Sequence, residues 1–333
     1  MSQRLVLVTG GAGFIGSNIV AELAADSSLD VVVCDRLRTA DSGKWRNLAK
    51  HPIADFIAPE AMFPWLEQRA ADVRAVVHMG AISSTTEPDA DKIIHNNFSL
   101  SRDLFRWCAQ HCKPMIYASS AATYGDAAMG FYDRDDAANL VELRPLNAYG
   151  WSKALFDLFA ARAAAQGEAP PQWAGLKFFN VYGPNEGHKG SMKSVAAQVW
   201  PKASRGETIQ LFRSHRNDIA DGGQLRDFIY VRDVAKIVGW LLENVQVSGI
   251  YNLGSGKARS FKDLAEAVFR AAGHQPSIEY VDMPADIRDR YQYFTQAEMG
   301  RLRQAGYAEP MTELETGIED YVRRYLCQPD PHR

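Results

Sequence analysis

The segment Thr9-Gly10-Gly11-Ala12-Gly13-Phe14-Ile15-Gly16 constrains this chain more than any other. It follows a short apolar run at residues 5–8 and opens a helical pattern at residues 14–25. Glycine permits the tight turn and a close backbone approach to a bound group, and the last glycine lets helix pack tightly on strand. The helix start presents unpaired N–H groups and a partial positive charge, which together suit a phosphate. Gly10, Gly11, Gly13, Phe14, Ile15 and Gly16 are therefore expected to cradle the pyrophosphate of a dinucleotide. The strand before and the helix after separate this pattern from an ordinary glycine-rich turn. Asp35 stands 19 residues beyond Gly16, at the end of a second apolar run. There the fingerprint places an acid on the adenosine ribose. A carboxylate alone favours NAD. The cations of Arg36, Arg38 and Lys44 close by can neutralise a 2′-phosphate and favour NADP. These residues by themselves leave the dinucleotide open.

Alternating apolar runs and helical stretches through residue 180 predict an α/β fold of the Rossmann type, a doubly wound parallel sheet. Strands are expected at 5–8, 31–34, 75–79, 115–118 and 176–179, and helices at 14–25, 96–112 and 149–166. Beyond Asn180 the pattern is less regular, with helices expected at 191–205 and 261–272 and strands at 209–212, 250–253 and 277–281. This reads as a dinucleotide-binding domain over residues 1–180, with elements from about 225–255 returning to it. A smaller α/β substrate-binding part covers 181–333. Residues 286–295 read as a loop reaching back toward a ligand.

A net charge of −3 offers no basic stripe for nucleic acid. No apolar run is long enough to span a membrane, and the first residues lack the apolar region of a signal peptide. Cys34, Cys108, Cys112 and Cys327 are too few for a disulfide framework and read as reduced thiols of a cytoplasmic protein. Cys108, His111 and Cys112 are joined by no further ligand cluster, so no metal site is expected.

Tyr149 and Lys153 stand four apart at a helix start and share one face. Upstream, a strand end carries Ser119-Ser120-Ala121-Ala122-Thr123. A tyrosine acts as a base near neutral pH only when its pKa, about 10, is lowered. An ammonium roughly 5 Å away at an effective dielectric of about 20 supplies about 3 kcal/mol, or about two pKa units. Ser120 can hydrogen-bond the substrate oxygen from the other side. Such a group suits removal of a hydroxyl proton as hydride departs to a nicotinamide.

Taken together, residues 9–16, 119–125 and 149–153, with Arg226-Asp227-Phe228 and Tyr251-Asn252-Leu253-Gly254, resemble the extended short-chain dehydrogenase/reductase family of nucleotide-sugar enzymes. The strings at 83–87, 182–192 and 291–296 further resemble a subfamily of epimerases acting at carbon-6 of an ADP-linked heptose, a lipopolysaccharide precursor. That resemblance implies an isomerase that oxidises its sugar to a ketone and returns the hydride to the other face. It implies NADP in preference to NAD, an ADP-heptose substrate and a homo-oligomer. Tyr149, Lys153 and Ser120 are implied as catalytic, and Lys189 as a second acid/base group near the nicotinamide. Asp35, Arg36, Lys44, Met79, Gly80, Ala81, Ser83, Asn96 and Val181 are implied along the cofactor. Ser83, Asn180, Ser191, Gln198, Phe212, Arg226 and Tyr291 are implied on the sugar nucleotide. Relatives carry glutamate at Met79, lysine near Pro59 and histidine at Gln198, and the loop at 213–224 is longer here.

The residues alone leave Lys189 open between a phosphate-binding cation and an acid/base group, and Arg226 between the diphosphate and an ion pair with Asp227 or Asp233. His78 reads as a structural histidine. Three other functions stay in view. A 4,6-dehydratase would use an Asp-Glu pair after the serine, where this chain has Ala121-Ala122. A UDP-hexose 4-epimerase lacks the 187–192 string. A cofactor-sensing regulator would not need Tyr149 and Lys153.

Overall fold

The computed structural model describes residues 4–284, 288 and 292–333. The first half builds the elements β1 (Leu5–Thr9), α1 (Phe14–Leu23), β2 (Asp30–Cys34), β3 (Asp55–Ile57), α2 (Met62–Arg69), β4 (Val73–His78), α3 (Ala90–Ile94), α4 (Leu100–Gln110), β5 (Met115–Ser120), α5 (Ala137–Leu140), α6 (Ala148–Ala165) and β6 (Trp173–Phe178). The second half adds β7 (Asn180–Tyr182), α7 (Val195–Ala203), β8 (Ile209–Phe212), β9 (Leu225–Tyr230), α8 (Val231–Glu243), β10 (Gly249–Leu253), β11 (Ala258–Ser260), α9 (Phe261–Ala272), β12 (Ile278–Val281), α10 (Gly300–Gln304) and α11 (Leu314–Tyr321).

Seven parallel strands form the main sheet in the order β3-β2-β1-β4-β5-β6-β10. Its central strands are buried along their length, as strands covered on both faces must be. One face packs against α1 and α8 through Ile19, Val20, Leu23, Val238 and Leu241. The other packs against α4 and α6 through Leu104, Phe105, Phe156 and Ala160. A third core joins α7, α9 and α11 through Val199, Leu264, Val268 and Ile318. Beside the main sheet lie β7-β9-β11 and the parallel pair β8-β12.

In the second half, helix α8 was not anticipated, although Val234, Ile237, Val238, Leu241 and Leu242 mark its buried face at helical spacing. The strand expected at 250–253, within the stretch of about 225–255 expected to return to the first part, is the last strand of the main sheet, paired with β6. The edge strand β3 was also missed, being three residues long with Phe56 exposed.

Candidate active site

The turn between β1 and α1 is built by backbone contacts that side chains would block. Gly10 has φ +66°, and a Cβ there would lie 2.7 Å from the backbone nitrogen of Gly80. A Cβ on Gly16 would lie 2.1 Å from the Gly10 carbonyl oxygen, so α1 closes directly onto the turn. Gly13 precedes α1 in an extended conformation; no side chain caps the helix and its first turn holds no acid. Its opening amides are thus aimed at whatever lies above the carboxyl ends of β1 and β4. Gly80 donates its N–H to Thr9 Oγ1 at 3.1 Å, seating the start of the 79–83 stretch against the turn. Ala81 and Ser83 are exposed and Met79 half-buried.

At the end of β2, Asp35 accepts the Ala12 N–H at 2.9 Å and pairs with Lys44 Nζ at 2.6 Å. Lys44 thereby neutralises the carboxylate beside the glycine turn. Arg36 turns away, forming an exposed ion pair with Glu60. Asn96 bonds back to the Lys92 carbonyl of its own helix. Its neighbour Asn97 is the one buried: it brackets Ile82 through N–H and C=O bonds of 2.8 and 2.9 Å and donates to Ser152 at 3.1 Å. Sequence reading passed over Asn97 because two adjacent asparagines differ only in which helix face they occupy.

Helix α6 begins under Asn147, whose extended backbone and side chain cap it through the Gly150 N–H at 2.8 Å. The cap sets Tyr149 within the first turn, and Lys153 follows one turn on. Lys153 Nζ donates to the Ala118 carbonyl of β5 at 2.8 Å. Burial lowers its pKa to about 8, with Asp157 opposing the shift. Ser120, at the end of β5, accepts the Ala122 N–H at 3.1 Å and makes a side-chain hydrogen bond with Tyr149. Burial raises the pKa of Tyr149, and the bond with Ser120 pulls it back. This corrects the expected depression: desolvation of the phenolate sets the direction, and the hydrogen bond with Ser120 opposes it. His78 is enclosed, bonded to Thr9 Oγ1 at 2.7 Å and Ser101 Oγ at 2.9 Å, and burial holds it neutral with a pKa of about 3.

Lys189 rides on the turn Gly187–Met192. Its Nζ lies over the ring of Phe14, 5.3 Å from the centroid, and burial lowers its pKa against the pull of Glu186. The lysine therefore reaches the first residue of α1. Glu186, also buried, anchors this turn through Ser194 N–H, Ser194 Oγ and Tyr321 Oη at 2.5, 2.6 and 3.0 Å. His188 contacts Asn47 at 3.2 Å, and Asn47 also donates to the Ala12 carbonyl at 2.9 Å. Burial and the cations Lys44 and Lys189 hold His188 neutral, with a pKa of about 4.

Among the sugar-nucleotide residues, Gln198 bonds the carbonyls of Ser191 and Lys193 at 3.3 and 2.6 Å. Phe212 accepts from the Gly222 N–H at 3.3 Å, which closes the 213–224 loop. Arg226 is buried on β9 with its guanidinium over Phe261. Asp227 spends its carboxylate on Ser255, Gly256 and Ala297, and Asp233 on Thr312. Asn180 is exposed on β7, and Val181 beside it is half-buried. Tyr291 lies outside the described residues. In the described part of the segment expected as a loop at 286–295, Gln292 donates to the carbonyl of Gly125, just after the Ser120 turn. Gln292 was not singled out in the sequence, because only the fold brings it to Gly125.

A parallel sheet with a glycine cradle at one strand end, and a tyrosine, lysine and serine converging at another, defines a dinucleotide-dependent enzyme of the short-chain dehydrogenase/reductase type. The sequence profile of the NAD dependent epimerase/dehydratase family matches residues 6–254, and the chain belongs to that family. It is 48% identical to an ADP-L-glycero-D-manno-heptose-6-epimerase of Nitratidesulfovibrio vulgaris, over 98% of this chain and 100% of that one. The protein of that name from Fusobacterium nucleatum is 44% identical over 98% of this chain and 100% of its own. The crystal structure of Helicobacter pylori ADP-L-glycero-D-manno-heptose-6-epimerase superimposes with a TM-score of 0.77 at 27% identity, covering 97% of this chain and 96% of that one. Thermus thermophilus UDP-glucose 4-epimerase, solved in complex with NAD, gives 0.73 at 28% identity, over 96% and 98% of the two chains.

Proposed function

We propose that this protein inverts carbon-6 of ADP-D-glycero-D-manno-heptose to give the L-glycero epimer, supplying the heptose of the lipopolysaccharide core. The observation that carries the reading is the Tyr149–Ser120–Lys153 group at the end of β5, with a second, half-buried amine, Lys189, delivered on a separate turn. Full-length relatives that bear this activity in their names support the substrate. When bound, a nicotinamide takes a hydride from the sugar carbon and later returns it.

The chain's own residues handle the proton. Tyr149 takes the hydroxyl proton of carbon-6, and Ser120 holds the same oxygen. Ser120 receives the Ala122 N–H on its oxygen and shares a hydrogen bond with Tyr149, and the sugar oxygen joins that pair when it binds. Lys153 supplies the positive charge that a buried phenolate needs. Inverting the centre requires proton transfer on the second face as well, and we assign this to Lys189. The uncapped α1 start suits the pyrophosphate that both dinucleotides carry, Lys44 beside Asp35 stands where a 2′-phosphate would need a cation, and with the resemblance above NADP is our choice over NAD. Arg36, paired with Glu60, must swing to join it. Residues 181–333 hold the sugar nucleotide, with Asn180, Ser191, Gln198, Phe212 and Arg226 facing it, and the protein works as a homo-oligomer.

Proton NMR of the protein with ADP-D-glycero-D-manno-heptose in D₂O tests this. The L-glycero epimer without deuterium at carbon-6 is expected. Deuterium at carbon-6 would overturn direct hydride return, and absence of conversion would sink the substrate assignment. Calorimetric titration with each dinucleotide decides the cofactor: equal or tighter binding of NAD⁺ would reject NADP.

A further inference from the structure

Behind the catalytic group lies a buried ion pair that the mechanism above does not use. Asp157 Oδ2 and Lys177 Nζ are 2.7 Å apart, and both side chains are 0% exposed. Asp157 sits one helical turn after Lys153 and two after Tyr149, on the same face of α6. Its carboxylate accepts Tyr117 Oη at 3.1 Å and Ser119 Oγ at 2.7 Å, both from β5. Lys177 comes from β6, directly opposite Ser119 in the sheet register. It also donates to Thr123 Oγ1 at 2.7 Å and lies 5.0 Å from the centroid of the Tyr124 ring. Gly175 makes room for this arrangement, since a Cβ there would lie 2.4 Å from the Tyr117 hydroxyl. The pair thus grips both ends of the Ser119–Thr123 turn that presents Ser120.

A buried ion pair gives little stability by itself, because desolvating two charges offsets their attraction. The placement of this one bears on a third charge. Lys153 donates to the Ala118 carbonyl of β5 and interacts electrostatically with Asp157, one turn on along α6, and with His78 on β4; Tyr149 stands one turn before it, and Lys177 on β6 is linked to it through Asp157. Asp157 is the one carboxylate among those groups. We propose that Asp157 and Lys177 are a positioning pair, Asp157 serving as the fixed counter-ion that keeps Lys153 charged and seated on Ala118, and Lys177 locking Asp157 in place. The inference rests on Lys153 being the partner of Tyr149, as proposed above.

The test removes both charges together with Asp157→Asn/Lys177→Met, since replacing a buried pair by neutral groups commonly preserves a fold. Two readouts apply. The first is the titration of Lys153, followed by NMR of protein carrying ¹³C at lysine Cε and assigned with Lys153→Arg. The second is the pH profile of kcat. Loss of the counter-ion is expected to move the Lys153 titration down by at least about half a pH unit. The alkaline limb of kcat should follow by the same amount, with KM within about twofold. Asp157→Glu, which keeps the charge, should return both toward the parent. An unmoved titration in the folded double variant makes the pair a structural clamp only and overturns the proposal. If that variant does not fold, Asp157→Asn held folded by saturating NADP⁺ takes its place: a lowered Lys153 titration supports the proposal, and an unmoved one overturns it. The NMR readout needs no turnover, so a parent without epimerase activity whose Lys153 titration still moves would sink the function and leave the positioning role standing.

Discussion

Tyr149 sits half-buried in the first turn under a helix cap with its pKa raised, so its chemistry depends on neighbours that favour the phenolate. Tyr149→Phe keeps the ring and removes the group that moves the proton. It is expected to lower kcat by about 10²–10⁴-fold with cofactor affinity unchanged, as steady-state assays and cofactor titration would show. The partner ammonium has its pKa lowered to about 8 by burial. The charged form is therefore present below that pH and lost above it, and kcat should decline as pH rises through about 8. A profile flat to pH 10 would reject Lys153 as a cation in the reaction. Lys189 is the sharper case, because its ammonium lies over Phe14 at the cradle and feels the charge of the buried Glu186. Lys189→Met is expected to cut kcat about 100-fold or more with a modest change in KM, as removal of a proton-transfer group does. Full turnover would return this lysine to phosphate binding.

At the scale of elements, the first turn of α6 and the glycine turn carry the greatest consequence per residue. Asn147 caps the helix two residues before Tyr149. Asn147→Ala should cost about 1 kcal/mol in urea unfolding and lower kcat as well, since the fraying turn holds the catalytic tyrosine. A loss of stability with kcat intact would show that packing against β5 seats Tyr149 without the cap. The sequence made much of this level legible. The α9 boundaries match the expected span, set by the Ser260–Asp263 capping box and by Gly273 at φ +81°. The glycine turn was legible because its spacing between a strand and a helix is a local pattern, although the atoms that exclude a side chain at Gly10 belong to Met79 and Gly80. Helix α8 was overlooked even though its spacing is plainly helical.

For the whole molecule, His78 ties the main sheet to acid stability. Its folded pKa of about 3 lies below the ordinary 6.5, so the unfolded chain binds a proton in this window that the native state refuses. Stability from this group is fully present above pH 6.5 and lost as pH falls toward 3, at up to about 1.4 kcal/mol per pH unit. His78→Gln should flatten that part of the curve in denaturant midpoints measured from pH 7 to 4, and an unaltered slope would assign acid lability elsewhere. What the sequence by itself determined was what short-range sterics and hydrogen bonding decide: the cradle of Gly10–Gly16, the acid at Asp35, and Tyr149 one turn from Lys153. Tertiary structure alone decided which side chains meet across strands. It buried Asn97 in place of Asn96, brought Lys189 to Phe14, returned Gln292 to Gly125 and joined Asp157 to Lys177. Those encounters depend on strand order and register, and no local spacing along the chain encodes the order β3-β2-β1-β4-β5-β6-β10.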